Sequence, residues 1–119
     1  MSEMSSKTTV AVSEHSSEVL QRLKALGLFD TELAAFLATA SLAVAHGLPP
    51  KDLPPGSTTK WNKGSGDISI WSEVVPYIVS VDDPLKSLER YGEAGLQFVA
   101  LKLNDGLGFA DIYLNGSQI

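Results

Sequence analysis

The sequence predicts a mainly α-helical fold, a small helical domain with one or two short β-strands. Three observations lead to it. Leu33–Ala45, LAAFLATASLAVA, holds eleven apolar residues in thirteen, and the other two, Thr39 and Ser41, are small. Asp83-Pro84 is a helix start, because Asp caps and Pro loses no hydrogen bond in the first turn. Only Thr8–Val12 and the tail after Leu107 carry strand character.

A chain of 119 residues with 44% hydrophobic content fits one domain, residues 1–119, around one modest core. There is no cysteine, which excludes a disulfide framework, a thiolate nucleophile and Cys-ligated zinc. The net charge of -5 argues against a surface made to grip nucleic acid. MSEMSSKTT has one lysine and leads into no apolar run of signal-peptide type. The Leu33–Ala45 run is shorter than the about 20 apolar residues a bilayer demands. The expectation is a cytoplasmic protein without membrane contact.

Residues 1–7 are expected to form a mobile tail. TTVAV, Thr8–Val12, is β-branched and reads as a strand that must find a pairing partner. Ser17–Leu26 reads as an amphipathic helix, with Val19, Leu20, Leu23 and Leu26 on one face and Gly27 ending it. Asp30 is the expected N-cap of the apolar helix, and Gly47 with Pro49 stops it. Leu33, Phe36, Leu37, Ala40 and Val44 make one stripe. Ala34, Ala35, Ala38, Leu42 and Ala45 make the opposite one apolar too, so this helix must be covered all round.

Residues 48–66, rich in Pro and then Gly, Ser and Thr, read as a surface connector in loop or polyproline form. Ile68, Trp71, Val74, Val75 and Ile78 suggest a short helix near 70–78, broken at Pro76. After Asp83-Pro84, Leu85, Leu88 and Tyr91 form a helical face. Gly92 and Gly95 are expected to end that helix and open another, carried by Leu96, Val99 and Leu103 up to Asp105-Gly106. Weak alternation from Leu107 permits a final strand beside Thr8–Val12.

The chemistry-bearing residues assemble no catalytic constellation. His15 and His46 lack HxxxH or HExxH spacing, so no metal or cofactor is expected. Asp82 and Asp83 are adjacent, point apart and suit capping rather than acid–base pairing. Asp67, Glu73, Glu89 and Glu93 are scattered and read as solvated surface. GSTTK at Gly56–Lys60 lacks the GxxxxGK(S/T) order of a phosphate loop.

Lys60, Trp61 and Lys63 form a basic cluster around an aromatic, with no apolar neighbour to hold Trp61 down, and are the expected partner-binding residues; the alternative is a flexible loop whose Trp61 tucks onto the core edge. Ala34, Ala38 and Ser41 permit close helix approach. They are the expected self-association face, since a chain this small can hardly wrap the apolar helix on every side.

FDTELAAFLATASLAVAHGL (Phe29–Leu48) and LERYGEAGLQFVALKL (Leu88–Leu103) resemble the small accessory proteins of Dnd-type DNA phosphorothioation and related bacterial anti-phage systems. The shared features are an acidic cap, an apolar helix ending near a small residue and Gly, and the later set Glu89, Tyr91, Gly95 and Leu96. The resemblance covers about a third of the chain and brings no catalytic residue with it. It implies an accessory role in bacterial defence. The strand–helix–helix order over Thr8–His46 also resembles a ribbon-helix-helix DNA-binding domain. TTVAV departs from that pattern, exposing Thr and Ala with Lys7 alone at its edge, where a reader strand presents polar or basic side chains.

The expected function is therefore a non-enzymatic interaction or accessory subunit, a homo-oligomer or bound to a larger bacterial protein. The alternative is a ribbon-helix-helix DNA-binding regulator. Nucleic acid is a possible partner but not the favoured one.

Overall fold

In the computed structural model the chain runs β1 (Thr9–Val12), α1 (Glu14–Ala25), α2 (Glu32–Ala45), β2 (Thr58–Asn62), α3 (Ile68–Val74), a 3-10 turn (Val75–Tyr77) and α4 (Pro84–Asn104). The structure describes residues 9–62, 64, 68–77, 79, 83–108 and 111–112. The fold is mainly helical with one two-stranded antiparallel sheet.

Packing of α2 on α4 is the most extensive contact between elements. It explains the largest departure from expectation. Gly92 and Gly95 do not break the chain into two helices, because α4 is continuous through both. A Cβ at Gly92 would run into the Phe36 ring, and one at Gly95 into the Thr39 backbone carbonyl. The two glycines are contact points for α2, and the helical propensity they forfeit, about 1 kcal/mol each, is offset by that approach.

Local signals set the helix ends. Asp83 caps α4 through Lys86 N–H, with Pro84 in the first turn. The cap of α2 is Thr31 and not Asp30: Thr31 Oγ1 accepts from Ala34 N–H at 3.0 Å. Gly47, at φ 67°, closes α2 with the Leu48 N–H on the Ala43 carbonyl, a geometry a β-carbon would oppose. Gly27 repeats that closure after α1. α1 itself starts earlier than expected, at Glu14, because Ser13 caps it by accepting from Ser16 N–H. α3 stops before Pro76, and the 3-10 turn carries the chain through it.

β1 finds its partner inside the region expected to be a connector. β2 pairs with it antiparallel, with a shift in register between Val10 and Ala11. Val10 faces Trp61 and Ala11 faces Thr59, so Lys60 is the extra residue of a β-bulge. Residues 48–57 hold neither helix nor strand, as the loop reading of 48–66 has it, and that reading fails at Thr58–Asn62. β-Branched Thr58 and Thr59 with Trp61 favour strand, and a backbone partner was available.

The expected strand after Leu107 is not the partner of β1. Leu107 and Gly108 are irregular, Asp111 and Ile112 are helical, and the rest of that stretch lies outside the described residues. Val10, Leu20, Leu23, Phe36, Leu88 and Leu96 form the core with a fully buried Ile112. Among the described residues no helix is long and apolar enough to cross a membrane.

Candidate functional site

α2 divides into two faces. Ala35, Phe36, Thr39, Ala40, Leu42 and Ala43 are buried, mainly against α4. Ala34 and Ala45 are exposed, and Leu37, Ala38, Ser41 and Val44 are half-buried. The described chain therefore leaves one side of this helix uncovered, as expected of a chain too small to wrap it. Ala34, Ala38 and Ser41 lie on its outward side.

α3 stands beside that outward side. Trp71 and Val75 turn toward α2, and Leu37, Ser41, Val44 and Ala45 face them across a groove of about 450 Å³. Ile70 and Val74, at the groove's edge, and Tyr77 fall at i, i+4 and i+7, with exposures of 57%, 46% and 91%. A helix face apolar but for Ser41 and an exposed apolar ridge thus run side by side.

Lys60 and Trp61 are brought together as expected, but they are engaged within the fold. The bulge re-aims Lys60, whose Nζ makes a 2.6 Å ion pair with Glu32 and stands 5.9 Å from the Trp61 ring. Trp61 has an apolar companion, as in the alternative reading and not as in the recognition one. Its ring lies 5.1 Å from that of Phe36, tilted by 42°, and packs against the core. Lys63 lies outside the described residues.

Sequence reasoning missed the role of two acids. Glu89 and Glu93 are not solvated: they are 8% and 3% exposed. Glu89 Oε2 accepts from the Ala11 backbone N–H at 2.7 Å. Glu93 Oε1 accepts from the hydroxyls of Ser13 and Ser16, and its Oε2 accepts from Gln97 Nε2. Together the two carboxylates clasp α4 to the β1–α1 corner. A signal was present in the sequence: Leu85, Glu89, Glu93 and Leu96 fall at i, i+4, i+8 and i+11, placing both acids on the buried stripe.

Among the described residues no three His, Asp or Glu side chains gather as metal ligands. His46 is the C-cap of α2, and His15 is exposed near the start of α1. No protein family matches the chain, and neither a curated protein nor a solved structure is detectably similar to it.

Proposed function

We propose that this chain is a non-enzymatic interaction subunit that docks through the outward face of α2 and the ridge of α3, onto a second copy or a larger protein. The observation that carries the reading is the exposed series Ile70, Val74 and Tyr77 beside the apolar groove. Apolar surface gathered in one patch is worth about 25 cal/mol per Å² once covered, while scattered apolar residues are ordinary. The small side chains of Ala34, Ala38 and Ser41 extend the face and allow a partner helix close approach. The resemblance to defence-system accessory proteins supplies the expected setting, an anti-phage or DNA-modification complex.

The ribbon-helix-helix reading has less support. In that architecture a strand pairs with its copy and reads the major groove. Here β1 takes β2 of the same chain as its ladder partner.

Sedimentation velocity on the parent and on Val74→Glu tests the proposal. A buried, unpaired carboxylate disfavours an apolar contact by several kcal/mol. The parent is expected to associate in the micromolar range or to capture a host protein through this face. Val74→Glu is expected to abolish that with an unchanged circular dichroism spectrum. A parent that stays monomeric and captures nothing through this face sinks the reading. Titration of a labelled DNA duplex across a salt series tests the alternative.

A further inference from the structure

A second groove, of about 530 Å³, runs along the opposite flank of α4, between that helix, the start of α1 and the segment after α2. Its floor is apolar, formed by Leu48, Phe98 and a Leu101 that is 58% exposed. Two lining residues, Gln97 and Asn104, each hold a cation: Lys51, which lines the groove itself, and Arg22, which stands outside the lining. Lys51 Nζ donates to Gln97 Oε1 at 3.0 Å, and Arg22 Nη1 donates to Asn104 Oδ1 at 2.8 Å. Both acceptors are neutral amides. An amide orients a cation but does not cancel its charge.

Neither cation meets a carboxylate among the described residues, although the chain holds 14 acids against 9 bases. Lys60 and Arg90, by contrast, pair with Glu32 and Asp52. Among the described residues no carboxylate lines the groove. Glu93 lies beneath it, buried, with its oxygens taken by Ser13, Ser16 and Gln97. That last bond fixes the Gln97 amide: its N–H₂ turns inward to Glu93, so its carbonyl turns outward and holds Lys51. The buried clasp thereby sets the position of a surface charge.

We propose that this groove binds an acidic amphipathic peptide segment of a partner protein. Apolar side chains of the segment cover Phe98 and Leu101, and two of its carboxylates meet Lys51 and Arg22. Gln97 and Asn104 stand seven residues apart on α4, roughly 10 Å along the axis. A ligand with a single carboxylate reaches one cation only. A helix with acids seven residues apart reaches both, with its apolar side chains between them. The net charge of -5 opposes any anion, but it opposes a nucleic acid, with a phosphate at every residue, more than a segment with two carboxylates.

The inference is independent of the α2–α3 face, and fluorescence anisotropy tests it. The probe is a labelled helical peptide of about 14 residues with leucines on one face and two glutamates seven apart. Its counterpart carries lysines in place of the glutamates, and a labelled single-stranded oligonucleotide is the third ligand. The acidic peptide is expected to bind, more weakly as salt rises. Lys51→Glu and Arg22→Glu are each expected to reduce the affinity about tenfold or more, because the new charge repels the peptide. Lys51→Gln and Arg22→Gln give smaller losses in the same direction and cover the case of a variant that fails to fold. The lysine peptide and the oligonucleotide are expected to bind at least about tenfold more weakly. Val74→Glu is expected to leave peptide affinity unchanged. The proposal is overturned by no binding of the acidic peptide, by equal binding of the two peptides, by tighter binding of the oligonucleotide, by indifference to all four charge variants, or by loss of binding in Val74→Glu.

Discussion

Gly95 presses its Cα against the backbone carbonyl of Thr39, so closely that a methyl group would overlap the peptide unit of α2. Thr39 turns its own hydroxyl back onto the carbonyls of Ala35 and Phe36, leaving its buried side chain satisfied at the crossing point. One turn earlier Gly92 makes the same approach to the Phe36 ring. The α2–α4 packing depends on these two missing side chains.

Gly95→Ala should therefore be strongly destabilising, at or beyond the upper end of the about 1–3 kcal/mol typical of overpacking, despite an intrinsic helical gain of about 1 kcal/mol. Gly92→Ala should cost less, because a ring can shift where a backbone cannot. Combining Gly92→Ala with Phe36→Leu should give a smaller loss than the sum of the two single changes. Urea melts of the four variants check this order.

Removing Glu93 should be the costliest change of a polar side chain. Glu93→Leu leaves the Ser13 and Ser16 hydroxyls and the Gln97 amide without their acceptor, at about 1–3 kcal/mol for each buried orphan. A total loss of about 3 kcal/mol or more is expected. Ser13→Ala should cost more than Ser16→Ala, since Ser13 also caps α1. Denaturant midpoints order these variants. A Glu93→Leu protein as stable as the parent would show that the clasp contributes nothing net.

Both tryptophans pack against the core, although only Trp71 has apolar neighbours in sequence. Trp61 sits among Lys60, Asn62 and Lys63, yet it stacks on Phe36. Trp61→Ala should cost about 2 kcal/mol through lost area and the aromatic contact. Trp71 lies in an apolar run, but its Nε1–H is buried with no hydrogen-bond partner among the described residues. Trp71→Phe removes that orphan donor along with some area, so its effect should stay within about 1 kcal/mol. Thermal and urea melts decide both.

Proteases should enter between 52 and 57 and spare Thr58–Asn62. The first segment is largely exposed and carries no regular structure apart from a turn, whereas the second is held in the ladder with β1. Brief subtilisin digestion followed by mass spectrometry locates the first cut. A first cut inside Thr58–Asn62 would show that the β1–β2 pairing opens readily.

The helical class, the apolar stretch of α2, the Asp83-Pro84 start, the break at Pro76 and the glycine closures at Gly27 and Gly47 were all determined by the sequence itself. Each rests on a residue acting on its own backbone or on neighbours three or four positions away, and such effects need no knowledge of the fold. Partnerships across the chain were decided only by the tertiary structure. Gly92 and Gly95 break helices by local propensity, but they are retained inside α4 because α2 comes against them. Glu89 and Glu93 are surface residues by type, but β1 and α1 bring an N–H and two hydroxyls to meet them. Trp61 is solitary along the chain and paired in space, because β2 returns to β1 and carries it onto Phe36. In each case the deciding partner lies more than 20 residues away, beyond the range over which composition and periodicity carry information.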